Sequence, residues 1–277
     1  TYVEAFLNLR DPATDKLHTT FNQTGTSTGR LSSSSPNLQN IPVRTELGRE
    51  IRHTLIPSAP DWDFVSADYS QVELRIMAHL SGDKALTESF INGEDVHSNA
   101  ASRIFGCGLD QVTPEMRRVA KTVNFGIIYG MSPFGLAKEL GIKREEAAEY
   151  IKHYFATYPL VKKYMDDTVE AARKTGYVKT ILNRKRFMND INSENKTIRE
   201  FAERAAINMP IQGSAADIIK TAMVNIHREI RRKGLKAALL LQVHDELLLE
   251  CPVSETETVE DMVKRLMENA IKLAVPL

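Results

Sequence analysis

The sequence predicts an α+β fold: an antiparallel sheet made from strands near both ends of the chain, with a long, mostly helical block inserted between them. Three observations predict it. At 62–69, Trp-Asp-Phe-Val-Ser-Ala-Asp-Tyr gathers aromatic and β-branched residues ahead of a polar end, the pattern of a strand. At 237–250, two apolar runs flank His244-Asp245, the pattern of a buried hairpin with acids at its tip. Between them, residues 84–175 carry helix spacing and helix start signals. With 277 residues, 42% hydrophobic and 26% charged, the composition is that of a globular protein with one large domain or two smaller ones.

The elements follow in order. Residues 18–45 are rich in Thr, Ser, Asn, Gln and Gly, which suits loops and short strands. After the strand at 62–69, the spacing of Val72, Leu74, Ile76 and Met77 allows a helix from Gln71 to His79. Thr113-Pro114-Glu115 combines a cap, a first-turn proline and an acid near the positive end of the helix dipole. That helix runs from about Glu115 to Tyr129, where Gly130 ends it. Another begins at Lys143-Arg144-Glu145-Glu146, and Pro159 interrupts the pattern that follows. Residues 196–233 read as helix broken around Met209-Pro210, and 255–273 as a final amphipathic helix.

Lys plus Arg (36) equals Asp plus Glu (36), so total charge neither demands nor excludes a nucleic-acid partner. Cys107 and Cys251 lie far apart in no metal-ligand spacing, which predicts reduced thiols. No apolar run reaches membrane-spanning length and no signal peptide is present, so no membrane partner is expected. A first residue other than Met and an uncharged final stretch lead to the expectation of a chain cut from a longer protein.

The chemistry concentrates in two places. Asp68 ends one strand and Asp245 sits at the hairpin tip, with Glu246 beside it. Alone, each aspartate reads as a turn or cap residue. Against apolar strands, however, acids are costly without a cation or hydrogen bonds. A pair of divalent ions would relieve their repulsion and could clamp the attacking and leaving oxygens of phosphoryl transfer. The second place is the helix with Arg117, Lys121, Phe125 and Tyr129, which fall on one slowly turning face. That stripe reads either as a solvated basic face running into aromatic packing or as a nucleotide site, with cations for phosphates and rings for base and sugar. Arg118 points elsewhere, toward solvent.

Five segments, in order, carry a family resemblance. They are Asp68-Tyr-Ser-Gln-Val-Glu-Leu-Arg75; Arg117-Arg-Val-Ala-Lys-Thr-Val-Asn-Phe-Gly-Ile-Ile-Tyr-Gly130; Gln242-Val-His-Asp-Glu246; Thr28-Gly-Arg-Leu-Ser-Ser33 with Pro36-Asn-Leu-Gln-Asn-Ile-Pro42; and Asn208-Met-Pro-Ile-Gln-Gly-Ser-Ala-Ala-Asp217. Together they resemble family A DNA polymerases, of the bacterial DNA polymerase I type, over nearly the whole chain. The resemblance implies a palm at 21–81 and 206–277, mostly helical fingers at 82–205, and the end of a largely missing thumb at 1–20. Gly25 and Ser27 depart from the family's Leu and Ala, beside the DNA and outside the catalytic motifs.

The function implied is addition of deoxynucleotides to a primer 3′-hydroxyl with release of pyrophosphate. Asp68, Asp245 and the carbonyl of Tyr69 would hold two Mg²⁺ ions, with Mn²⁺ able to substitute and Glu246 either a supporting acid or a hairpin-edge residue. Arg117 and Lys121 would grip the triphosphate, with Lys121 also a proton donor to pyrophosphate; His97, of a type more often structural when alone, would join them. Phe125 would lie against sugar and base, Tyr129 would mark the template base's entry, Glu73 would block a 2′-hydroxyl or else be a surface acid on the first turn of its helix, and Gln71 would order that pocket. Arg30, Asn208, Gln212 and His244 would contact the duplex, or else be polar turn residues. Implied partners are primer-template DNA and deoxynucleoside triphosphates, for a monomer in the bacterial cytoplasm and nucleoid. Three competing readings remain. A two-metal nuclease or phosphohydrolase shares the acids but leaves the Arg117–Tyr129 stripe without a reason. Glu73 argues against a single-subunit RNA polymerase. A missing thumb would fit a non-catalytic DNA-binding piece.

Overall fold

The structure, a computed structural model, describes residues 2–42 and 45–277; the parts of the expectations for 1–20 and 18–45 that fall on residues 1, 43 and 44 lie outside it. It is α+β with antiparallel sheets throughout. In chain order, α1 (Tyr2–Leu9), β1 (Thr20–Asn22), β2 (Ser32–Ser34), α2 (Glu46–His53) and β3 (Trp62–Asp68) come first. Then come α3 (Val72–Ser81), α4 (Lys84–Ile91), α5 (Val96–Phe105), α6 (Pro114–Ile128), α7 (Pro133–Leu140), α8 (Arg144–Thr157) and α9 (Pro159–Thr175). β4 (Tyr177–Lys179), β5 (Lys185–Phe187), α10 (Lys196–Lys233), β6 (Ala238–Val243), β7 (Glu246–Pro252) and α11 (Thr256–Glu268) complete the chain. The chain divides into two compact units, one ending at Ser70 and resuming over Ala216–Ile271, the other Gln71–Ala215 with Lys272–Leu277.

In the first unit, β7 is central between β3 and β6. The register pairs Val65 with Leu249 and Ala67 with Leu247, and strand periodicity puts these side chains on one face. There Leu247, Leu249 and Cys251 are fully buried, and α11 contributes Val259, Met262, Val263 and Met267 at helical spacing. The opposite face of β3 and β7 carries Ser66, Asp68 and Glu246, with Asp68 directly across from Glu246. Fixing one face by hydrophobic burial therefore places the carboxylates on the other.

The second unit is mostly helical, and its starts follow the capping chemistry. Thr113 accepts from the Met116 amide ahead of Pro114, and Gly130, with φ 63°, follows the end of α6. Pro159 occupies the first turn of α9, so the interruption predicted there is a junction between two helices. The β4–β5 hairpin was not anticipated; it packs Val178 and Met188 with Ala172 and Ala206.

Two expectations are corrected. α10 is not broken at Met209-Pro210 but runs unbroken through Pro210. A mid-helix proline costs about 3 kcal/mol. Met209, Ile211 and Ala215 are almost wholly buried around it, and burying such side chains offsets about 1.5–3 kcal/mol for each large one. α11 ends at Glu268 rather than 273, because the Asn269 side chain donates to the Arg265 carbonyl and closes the last turn. Both cysteines are free thiols, and among the described residues no helix is long and apolar enough to cross a membrane.

Candidate active site

The first unit holds the acids. β3 delivers Asp68 at its end, and the β6–β7 turn delivers Asp245. His244, the first turn residue, adopts a left-handed backbone with φ 54°, which a two-residue hairpin requires and which histidine tolerates better than most side chains. The turn is braced on two sides. Buried Gln242 donates to the His244 carbonyl and itself receives the Gln39 amide, at 3.0 Å on its carbonyl and 3.2 Å on its side-chain oxygen. The Tyr69 N–H donates to the Asp245 carbonyl at 3.1 Å, so the chain just after Asp68 is tied to Asp245 itself. The Tyr69 hydroxyl, meanwhile, anchors to the Met267 carbonyl at 2.7 Å.

The electrostatics there are unfavourable for bare carboxylates. Burial, then the charges of Asp245 and Glu246, push the Asp68 carboxyl above the ordinary range. Burial also raises Asp245, against the pull of Arg30 and His244. Arg30 lies 3.7 Å from Asp245 and lines a crevice with Gln242, His244 and Asp245, so two of the expected duplex contacts meet the acid site. Glu246 accepts the Ser66 hydroxyl at 2.5 Å, a partner one strand over that sequence alone did not supply. The donors are hard oxygens, two aspartates with a glutamate close by, which suit a hard divalent cation rather than a soft-ligand metal. Among the described residues, no group of three or more His, Cys, Asp and Glu side chains could hold an ion unaided.

The second unit holds the stripe. On α6, Val119, Ala120, Val123, Gly126, Ile127 and Ile128 are buried, which leaves Arg117 and Lys121 exposed, Phe125 half-buried, and Tyr129 39% exposed at the helix end. Arg118 forms a two-pronged pair with Glu115 in solvent, as its position predicted. Arg117 instead donates from Nε to Asp95 at 2.6 Å, a contact that the sequence reading missed, although Asp95 before Val96-His97 carries a helix-cap signal.

His97 is 2% exposed, packs its ring 5.9 Å from that of Phe125, and shares a hydrogen bond of 2.9 Å between Nδ1 and the Asn124 amide. Burial lowers its pKa to about 4, helped by Arg117 and Lys121 and opposed by Asp95, so it is neutral at pH 7. Asn124 is thus a second partner that only the folded chain shows.

Gln71 precedes α3 in a left-handed conformation, φ 55°, without a side-chain capping bond, and its carbonyl accepts the Leu74 and Arg75 amides. Glu73, two residues on, is 4% exposed and accepts the Tyr129 hydroxyl at 3.0 Å. Burial removes the alternative of Glu73 as a surface acid, and the bond joins two residues expected to have separate roles. Asn208 and Gln212 lie one turn apart on α10, and the buried Asn208 Nδ2 has no protein partner among the described residues. A buried amide donor in that state is normally met by water or a ligand.

The comparisons with known proteins agree over the full chain. The family model described as DNA polymerase family A matches residues 1–277. The chain is 54% identical to DNA polymerase I of Geobacillus stearothermophilus and 52% identical to the thermostable DNA polymerase I of Thermus thermophilus. In both cases all of this chain is covered, with 32% and 33% of those proteins. It spans about a third of the length of these relatives. Among solved structures, the POL domain of Pol1 from M. smegmatis, in complex with DNA primer-template and dNTP, superposes with a TM-score of 0.95 at 50% identity, covering 99% of this chain and 48% of that one.

Proposed function

The chain belongs to DNA polymerase family A, and from that premise we propose that it extends a primer 3′-hydroxyl with deoxynucleotides, directed by a template strand. The observation that carries the reading is the backbone bond from Tyr69 to Asp245, which fastens two carboxylates whose charged forms burial disfavours to one end of a sheet. The proposed partners are primer-template DNA and deoxynucleoside triphosphates, bound by a monomer in the bacterial cytoplasm and nucleoid. In this reading residues 21–81 and 206–277 act as the palm, 82–205 as the fingers, and 1–20 as the end of a thumb.

Asp68, Asp245 and the Tyr69 carbonyl would hold two Mg²⁺ ions, with Mn²⁺ as a substitute and Glu246, steadied by Ser66, as a supporting acid. Bound there, the ions would favour the ionised primer hydroxyl and stabilise charge on the transferring phosphate and pyrophosphate. Arg117 and Lys121 would receive the triphosphate, and Lys121 can return a proton to the leaving pyrophosphate. His97, neutral, would approach the phosphates only as a hydrogen-bond donor and would otherwise support Phe125. Phe125 would lie on base and sugar, Tyr129 would guard the template entry, and Glu73 would close the space beneath the 2′ carbon, with Gln71 setting the start of its helix. Arg30, Asn208, Gln212 and His244 would meet the duplex, the open Asn208 donor being suited to a minor-groove acceptor.

The test is primer extension set beside a nuclease assay on the same primer-template. Template-dependent extension that needs Mg²⁺, without comparable degradation, is the expected result. Degradation in place of extension would favour a two-metal nuclease.

A further inference from the structure

On α5, the carboxylate of Asp95 does two things at once. Its Oδ1 caps the helix, accepting the His97 amide at 3.0 Å and the Ser98 amide at 3.3 Å. Its Oδ2 accepts the Ser98 hydroxyl at 3.0 Å and Arg117 Nε at 2.6 Å. Three bonds from its own helix hold the carboxylate, so Arg117 is tethered to a point anchored on α5. The tether uses only Nε. Among the described residues the two terminal nitrogens of Arg117 make no hydrogen bond. The end of the guanidinium fork that grips phosphate oxygens two at a time is therefore left open. Both partners are substantially exposed, 45% and 39%, and exposed ion pairs add little to folding stability. The pair's consequence lies in where it holds Arg117.

We propose that Asp95 is a positioning residue for nucleotide binding: it fixes the Arg117 guanidinium by its inner nitrogen so that the outer two meet the incoming triphosphate. The inference rests on the role proposed above for Arg117. It opposes a simpler expectation. A carboxylate beside a triphosphate site should repel the ligand, so neutralising it should tighten binding. Positioning predicts the reverse sign, because a long arginine released from its tether must be ordered again on each binding event.

The test is single-turnover primer extension by the polymerase that bears this chain, giving the nucleotide dissociation constant and the maximal rate for Asp95→Ser, Asp95→Asn and Arg117→Ala. Serine still caps a helix but is too short to reach Arg117; asparagine caps with its one oxygen, which leaves its amide NH2, a donor, facing the Arg117 Nε–H. The expected result is nucleotide binding weakened about fivefold in both Asp95→Ser and Asp95→Asn, with the maximal rate held within about twofold and the melting temperature unchanged. In an Arg117→Ala background, Asp95→Ser should add nothing further. Equal tightening in both Asp95 variants would show a field effect and overturn the proposal. So would a loss confined to the maximal rate, or one that tracks a fall in melting temperature. If Arg117→Ala weakens binding and Asp95→Ser does not, only the Asp95 assignment falls. If Arg117→Ala binds nucleotide normally, the role proposed for Arg117 falls as well.

Discussion

Removing either end of the Tyr129–Glu73 bond should relax selection against ribonucleotides, and by different amounts. Glu73 is 4% exposed, so a ligand 2′-hydroxyl arriving there must clash with the carboxylate or displace it from its partner. Leaving a buried polar group unpaired costs about 1–3 kcal/mol. Glu73→Ala removes that penalty and the clash, so the ratio of deoxy- to ribonucleotide incorporation efficiency should fall by about one to two factors of ten. Tyr129→Phe keeps the carboxylate and removes one donor to it. A hydrogen bond to a charged acceptor contributes about 1.5–3 kcal/mol. Here Tyr129 is 39% exposed and Glu73 keeps another interaction, so water and that contact make up part of the loss. About 1 kcal/mol remains, or roughly a fivefold drop in the ratio. The assay is single-nucleotide incorporation of matched deoxy- and ribonucleotides by wild type, both single variants and the double. The double variant should match Glu73→Ala alone, because the Tyr129 hydroxyl would influence selection at the sugar through the Glu73 carboxylate it bonds. An unchanged ratio in Glu73→Ala would take Glu73 out of the sugar pocket and reopen the RNA polymerase reading; additive effects in the double would refute the coupling.

The remaining expectations are shorter. Asp68→Ala or Asp245→Ala should lower extension by three or more factors of ten, since each of the proposed ions would stabilise several kcal/mol of developing charge; near-normal extension at ordinary Mg²⁺ by either well-folded variant would defeat the assignment. Phe125 has no hydroxyl to replace the one a dideoxynucleotide lacks, so Phe125→Tyr should raise dideoxy incorporation, and equal discrimination by both proteins would remove Phe125 from the sugar. His97 gives a pH signature. Its folded pKa of about 4 lies below the unfolded value of about 6.5. Between those values the unfolded chain binds more protons, so stability is full above about pH 6.5 and falls on acidification toward pH 4, by up to roughly 3 kcal/mol. In urea unfolding, the advantage of wild type over His97→Gln should shrink from pH 7 to pH 4.5; a constant difference would show that His97 does not titrate as a buried group.

What was legible in the sequence was what local chemistry decides. The cap at Thr113, the Pro114 turn and the glycine after Tyr129 fix α6 to within a residue, and the stripe of Arg117, Lys121 and Phe125 follows from helix geometry alone. Asp68 and Asp245 could likewise be brought together, because two strands and a two-residue turn leave few ways to pair. Glu73, by contrast, looked like either a first-turn surface acid or a pocket residue, and only a tyrosine 56 positions away decides between them. Pro210 misled for the same reason in reverse: its local signal is strong, yet the burial that overrides it comes from residues distant in sequence. Asp95 makes the limit plainest. Read along the chain it is a helix cap, and a cap it is; that the same carboxylate also holds Arg117, 22 residues on, depends on how α5 packs against α6. Its strength as an acceptor has a local trace all the same. Burial would raise its pKa, but the Arg117 and Ser98 side chains, with the Ser98 and His97 amides, hold it to about 2. Asp95 therefore stays charged between pH 6 and 9, and the Arg117 tether should neither loosen nor tighten with pH there. If Asp95 positions Arg117, any pH dependence of nucleotide affinity between pH 6 and 9 must come from the nucleotide or other groups, and Asp95→Ser should shift the affinity without changing the shape of that profile.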